Sequence, residues 1–379
     1  MARTQEALYA GIDLDLSWSE ASLPERERTK HVHRLNPYLG KFIPQVVEVL
    51  LARYFASGQR VLDPFAGSGT TLVQALESGL DATGVDVAGF NCLLMDVKTR
   101  RYNLFTLEHE LRDAYARVGE SGGERASGYV GQWYAPRAAR ELLAFRTLVG
   151  DYEHQDVLRV VLARAARSAR RTTHFDLDFP RTPQVEPYWC HKHKRECRPV
   201  QEAARFLRRY ALDTLARIKA YARVRAPGRE AGVLHGDARE LELDGRFDGI
   251  LTSPPYPGLI DYHEQHRYAY ELLELDDVRE LELGAAAGGT SRAALAAYSD
   301  GIVAVLENVR GSLRPAAAVL IVVNDRRDLY PEILDRAGLR LEQRLRRHVN
   351  RRTGRRAGEF FEDVLVTRFA APGGGRKAP

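Results

Sequence analysis

An α/β fold with a mainly parallel sheet is predicted by three features of the 379-residue chain. Two short apolar runs, Val61-Leu62 and Thr83-Gly-Val85, each end in an acid, Asp63 and Asp86. Between them, Gly67 and Gly69 permit a tight turn before a helix that begins near Thr70. A third apolar run, starting at Phe247, leads into the stiff loop Ser253-Pro-Pro-Tyr256. Ligands of open α/β sheets lie beyond the carboxyl ends of the strands, so this pattern places a nucleotide-type cofactor against the glycine turn.

The elements follow in order. Residues 1–30 are polar and acidic with a few apolar positions, and read as an arm laid on the surface. A helix is expected over 44–55, then the strand ending at Asp63. The glycine turn is not a phosphate-cradling P-loop, because no lysine follows Gly69. It is not a full dinucleotide fingerprint either, since Leu72 stands where GxGxxG needs its last glycine. Asp86, closing the second strand, suits two ribose hydroxyls, which dinucleotides and S-adenosylmethionine both offer. The helix over 90–100 exposes Lys98 and carries Cys92 as a small buried hydrophobe.

From Arg101 the strand rhythm stops, and helical spacing runs over 104–118, 136–149, 156–171 and 201–224. An insertion of 130 residues, 101–230, is too long for an ordinary crossover. It carries 25 Lys and Arg against 16 Asp and Glu, whereas the rest of the chain is net negative. Local positive charge fits contact with a polyanion; a solvated arginine-rich face is the bland alternative. Arg164, Arg167, Arg170 and Arg171 recur at helical spacing, so at least three are expected on one phosphate-facing stripe. In 188–198, aromatics adjoin Lys192, Lys194 and Arg195. Cys190, His191 or His193, and Cys197 become zinc ligands only if a fourth group such as His174 comes near. The spacing is irregular and the chain has no CxxC, so the segment is read as a basic loop, with no metal assigned and substoichiometric zinc expected.

The sheet resumes over 232–238, with Asp237 as its closing acid or as a helix cap. After the proline loop, 257–270 leads into a helix at the mouth of the site, where Asp261, His263, His266 and Arg267 are candidates to touch a target strand or close over it; Gly284–Gly289 reads as mobile. A helix over 293–313, a strand over 317–323 and a terminal pair at 339–348 and 362–368 complete the sheet, with a basic turn over 350–356 and a disordered tail over 371–379. No run of about 18 apolar residues occurs, so no membrane span is expected. With no signal-peptide pattern and only three cysteines, a cytoplasmic protein of a bacterial or archaeal cell, associated with the nucleoid, is expected.

The pairing of Asp63-Pro-Phe-Ala-Gly-Ser-Gly-Thr70 with Ser253-Pro-Pro-Tyr256 resembles the DNA amino-methyltransferases, which join a DPFxGxGT cofactor motif to a (D/N/S)PPY catalytic motif. The resemblance covers about 31–100 and 230–370 and leaves the insertion uncovered. It implies a Rossmann-like methyltransferase fold, with a mainly parallel seven-stranded sheet, one antiparallel terminal strand and a helical insertion. It also implies S-adenosylmethionine as cofactor, double-stranded DNA as substrate and a cognate restriction endonuclease as a partner. Cofactor contacts are then expected from Asp63, Phe65, Gly67, Gly69, Thr70, Asp86 and Asp237. Tyr38, Lys41 and Phe42 join them, in a segment similar to the family's motif X, where Asn36 stands in place of a frequent histidine. Ser253, Pro254, Pro255 and Tyr256 are the expected catalytic loop, and Arg164, Arg167, Arg171, Lys192, Lys194, Arg195 and Arg267 the expected DNA contacts. Serine before Pro-Pro-Tyr is the usual mark of cytosine N4 enzymes in that family. Adenine N6 or RNA is the alternative target. A non-catalytic nucleic-acid-binding protein and a nicotinamide oxidoreductase are the readings from other classes.

Overall fold

Seven strands form one sheet in a computed structural model that describes residues 11–18, 22–37, 43–118, 126–177, 179–349 and 360–370. In chain order the strands are β1 (Arg60–Asp63), β2 (Asp81–Asp86), β3 (Tyr188–Cys190), β4 (Arg195–Cys197), β5 (Ala231–His235), β6 (Phe247–Thr252), β7 (Leu313–Val323), β8 (Leu339–Val349) and β9 (Phe360–Phe369). The sheet order is β5-β2-β1-β6-β7-β9-β8, and β3 and β4 form a separate hairpin. Strands β5, β2, β1, β6 and β7 pair in parallel, whereas β9 runs antiparallel to both β7 and β8. This is the expected Rossmann-like methyltransferase fold. Ile12 and Trp18 of the arm bridge to Arg346 and Val349 on the outer edge of β8, and Leu16 is fully buried.

The strands alternate their side chains between two covered faces, as a sheet buried on both sides requires. On one face Val61, Leu251 and Leu320 pack with Val47, Leu50, Leu72 and Met95, from the helices Pro44–Tyr54, Thr70–Glu77 and Gly89–Thr99. On the other, Leu62, Ile250 and Val319 meet Tyr298, Ile302 and Leu306 of the helix Arg292–Arg310.

The insertion adds a further layer. Its helices Leu104–Arg117, Pro136–Leu148, Gln155–Ala169 and Ala204–Ala222 share one core with Val73, Leu76, Leu94 and Val97, on the outward side of the sheet-covering helices. Tyr221 Oη donates to the Val73 carbonyl at 3.1 Å. The insertion is not purely helical, since it contains the β3–β4 hairpin.

Several expectations change. Lys98 is buried, not exposed, and its ammonium donates to the Ser68 carbonyl, so it braces the glycine turn from below. The stretch 284–289 is pinned: Gly258 N donates to the Gly284 carbonyl at 2.9 Å and Ala287 N to Asp261 Oδ1 at 3.0 Å. The turn expected over 350–356 and the tail over 371–379 lie outside the described residues.

Candidate active site

The site forms where β1, β2, β5 and β6 end side by side. Gly69 caps the helix Thr70–Glu77 with φ at 79°, and a Cβ there would stand 2.8 Å from Met95 Cγ, so both backbone and space demand glycine. The turn is fastened to β2 by Asp86: Gly67 N donates to Oδ2 at 2.9 Å, while Ala88 N and Asn91 Nδ2 donate to Oδ1 at 2.8 and 3.1 Å. Burial pushes the Asp86 carboxyl up to about 6 despite these donors, which favour the charged form.

Beyond the turn opens a pocket with about 860 Å³ of empty space, its mouth included. Phe65, Gly67, Thr70 and Asp86 line it from the first two strands, Asp237 from the end of β5, and Ser253 and Pro255 from the end of β6. Arg239 holds Asp237, donating from its backbone N to Oδ1 at 2.9 Å and from its guanidinium to both oxygens. Burial alone would raise the Asp237 pKa, but these bonds and the Arg239 charge outweigh it and hold it low. The Asp237 carboxylate thus stays ionised beside the pocket.

Asp63 does not line the pocket. It is buried beneath it, where Thr71 Oγ1 and Thr252 Oγ1 each donate to its carboxylate at 2.6 Å and Phe65 N at 3.1 Å. It therefore ties β1 to β6 and to the helix after the glycine turn, and burial raises its pKa to about 6. Gly69 likewise shapes the turn without lining the pocket. Tyr38, Lys41 and Phe42 lie outside the described residues.

The Ser253–Tyr256 loop is braced at its far end. Tyr256 Oη donates to Glu362 Oε1 at 3.0 Å, and Glu362 pairs with Arg347 at 2.9 Å, anchoring the loop to β9 and β8. Burial, then the Glu362 charge, pushes the Tyr256 phenol well above its ordinary value, so it remains a donor.

A wall of the pocket that sequence reasoning missed comes from Leu281, Glu282 and Leu283. Glu282 accepts from His263 N at 2.8 Å, Tyr262 N at 3.1 Å and the His263 ring. Nothing in the run Leu281-Glu-Leu283 distinguishes it from an ordinary amphipathic stretch. Behind this wall, His266 Nδ1 donates to the Tyr262 carbonyl at 3.1 Å, and Nε2 accepts from Asn36 Nδ2 at 3.2 Å. Asn36 thereby ties the segment before the helix Pro44–Tyr54 to the one after the proline loop. Burial pushes His266 down to about 3, so it stays neutral.

The arginine stripe does not exist as expected. The helix ends at Ala169, Arg164 is buried against Asp213 and Thr214, and Arg170 is buried over the Tyr268 ring. Arg171 is half-buried, its backbone N donating to the Trp133 carbonyl at 2.7 Å. Arg167 instead faces a cleft shared with Arg34, Arg209 and Arg217. Arg267 is half exposed, beside Glu264 and Glu271 and over the Tyr129 ring. Lys192, Lys194 and Arg195 are exposed on the hairpin. The condition set for a metal there is met despite the irregular spacing: His174 lies beside Cys190, His193 and Cys197.

Residues 7–92 match the family profile described as DNA methylase, of the N6/N4 type. The type II methyltransferase M.MjaII of Methanocaldococcus jannaschii is 34% identical over 95% of this chain and 84% of its own length. M.MvaI of Kocuria varians, also a type II methyltransferase, is 21% identical over 59% of this chain and only about half, 53%, of its own length. A solved rRNA methyltransferase, aviRa of Streptomyces viridochromogenes, overlaps with a TM-score of 0.37 at 11% identity, over 97% of this chain and 94% of its own, a likeness too loose to carry residue roles.

Proposed function

Because the chain belongs to the N6/N4 DNA methylase family, with S-adenosylmethionine as its cofactor, we propose that it methylates the exocyclic N4 amine of cytosine in double-stranded DNA. The observation that carries this reading is that Ser253 and Pro255 line the same pocket as Asp86 and Asp237. A polar acceptor on a rigid loop thus stands at the cofactor site itself.

The donor set fits the cofactor. The half-buried Asp86 carboxylate keeps a face toward the pocket for ribose hydroxyls, Asp237 offers an ionised acceptor to an amino group, and Phe65 supplies an apolar ring. When bound, S-adenosylmethionine supplies the methyl sulfonium electrophile. An exocyclic amine is a poor nucleophile, since its lone pair is delocalised into the ring. The Ser253 hydroxyl and the Pro254 carbonyl accept from the amine N–H groups and favour the orientation in which that lone pair is free to attack. Pro254 and Pro255 restrict the loop, and the Tyr256–Glu362 bond holds its end, so this alignment requires little reorganisation. A duplex hides the target amine, so the base leaves the stack at a cost of a few kcal/mol. Basic groups on the insertion, Arg167 and the hairpin lysines among them, would offset that cost by holding the phosphates. A cognate restriction endonuclease belongs to this reading as a partner.

The choice of cytosine rests on Ser253, where a neutral hydroxyl replaces the carboxylate or amide found in most adenine enzymes of the family. The test is mass spectrometry of nucleosides from DNA incubated with the chain and S-adenosylmethionine. N4-methylcytosine is expected, and Ser253→Ala should lower turnover while cofactor affinity persists. N6-methyladenine alone would move the target to adenine.

A further inference from the structure

The segment between the helices Gln155–Ala169 and Ala204–Ala222 has almost nothing apolar to hold it. From Thr173 to Arg198, Cys190 is the one described residue that is buried, while Phe175, Phe179, Val185 and Trp189 are 47–60% exposed. Among its described residues the only regular structure is β3 and β4, three residues each, joined by a turn in which Lys194 takes φ at 53°. A lone two-stranded hairpin is marginal in water, and a piece this small without a core needs a staple.

One group of side chains does converge there. His174, Cys190, His193 and Cys197 each offer a ligand atom, and the four atoms lie within 4.8 Å of one another. Cys190 Sγ is 3.2 Å from His174 Nδ1, and His193 Nδ1 is 3.3 Å from Cys197 Sγ. With Zn–S near 2.3 Å and Zn–N near 2.0–2.1 Å, ligand atoms around a tetrahedral zinc stand about 3.3–3.8 Å apart. The His193–Cys197 separation sits at the short edge of that range and the Cys190–His174 separation just below it. Tyr188 Oη, 3.1 Å from the same nitrogen of His174, flanks the quartet.

A disulfide is a poor alternative explanation. In the hairpin register Cys190 pairs with Arg195 and Cys197 with Tyr188, which makes the cysteines diagonal neighbours on one face. Diagonal positions are about 7–8 Å apart, beyond the usual Cα separation of a disulfide, about 4.4–6.8 Å. The sulfurs converge with two imidazoles, and two thiolates neutralise a divalent ion amid Lys192, Lys194, Arg195 and Arg198. Two sulfurs and two nitrogens in a tetrahedron are a zinc donor set.

We propose that His174, Cys190, His193 and Cys197 bind one structural zinc ion. All four positions belong to the protein, so the site has no open coordination place and does no chemistry. It fixes the hairpin, and with it exposed Trp189 and the basic side chains around it, onto a stem held by Gln184 N on the Arg171 carbonyl at 2.6 Å.

The experiment is elemental analysis of the full chain, purified under reducing conditions without a metal-binding tag. One zinc per chain is expected, surviving dialysis, and replaced by cobalt it should give tetrahedral d–d bands with thiolate charge transfer. His193→Ala and Cys197→Ser, both at the surface side of the quartet, should lose the metal while S-adenosylmethionine affinity stays unchanged, showing that the fold survives. Metal well below one equivalent would overturn the proposal, as would zinc retained in both variants. A Cys190–Cys197 disulfide in the metal-free native chain would also overturn it. Metal content does not depend on methyl transfer, so the result stands apart from the fate of the proposed activity.

Discussion

At the scale of single residues, two aspartates of similar surroundings do different work. Asp63 and Asp86 both close a strand and both have carboxyls raised to about 6 by burial, from an ordinary 3.8. An acid raised in the folded state exacts its cost when ionised. That cost is absent below about 3.8 and complete once pH has risen past about 6, so both residues make the fold less stable as pH climbs through that window. If Asp86 holds the ribose hydroxyls, cofactor affinity should move the opposite way, because that contact needs the ionised carboxylate. Calorimetric titration of the free chain should show S-adenosylmethionine binding about tenfold weaker at pH 5 than at pH 7. Asp86→Asn should bind more weakly throughout and lose most of that dependence. A wild-type affinity flat from pH 5 to 7 would remove Asp86 from the ribose.

At the scale of elements, the insertion is held by a charge placed inside it. Arg164 of the helix Gln155–Ala169 reaches Asp213 and Thr214 of the helix Ala204–Ala222 and lies over the Tyr210 ring. Burial lowers its pKa and the Asp213 carboxylate opposes that shift. Asp213→Ala strands a buried guanidinium and should cost about 3 kcal/mol in urea unfolding, whereas Arg164→Met, which leaves Asp213 with Arg217, should cost less. Equal costs would mean that the pair contributes only by packing. The sequence carries the strands and the glycine turn legibly, because an apolar run ending in an acid and two glycines admits few geometries. It also carries the proline loop. It does not reveal that Asp63 turns inward or that Lys98 braces Ser68, since both depend on neighbours brought in by other strands and helices. Helical spacing alone misreads Arg164 as a surface cation, because Asp213 lies 49 positions away and periodicity is blind to partners.

At the scale of the whole molecule, the cleft bearing Arg34, Arg167 and Arg209 joins the insertion to the segment before the helix Pro44–Tyr54, beside Asn36. If phosphates lie there, Arg34→Gln combined with Arg209→Gln, both exposed, should weaken binding to all DNA sequences alike. The slope of log affinity against log salt should become shallower by about two. An unchanged slope would leave these arginines as solvated surface. The insertion shares its core with the helices that cover the sheet, and its two ends are stitched together, Arg225 to the Thr99 carbonyl and Arg101 Nη2 to that of Ala226 at 3.4 Å. Such a layer cannot be inherited or discarded as a cassette. If the insertion reads DNA, new words would be learned where it buries almost nothing, on the hairpin outside its four converging ligands, while the inward helices stay bound to their ancestry.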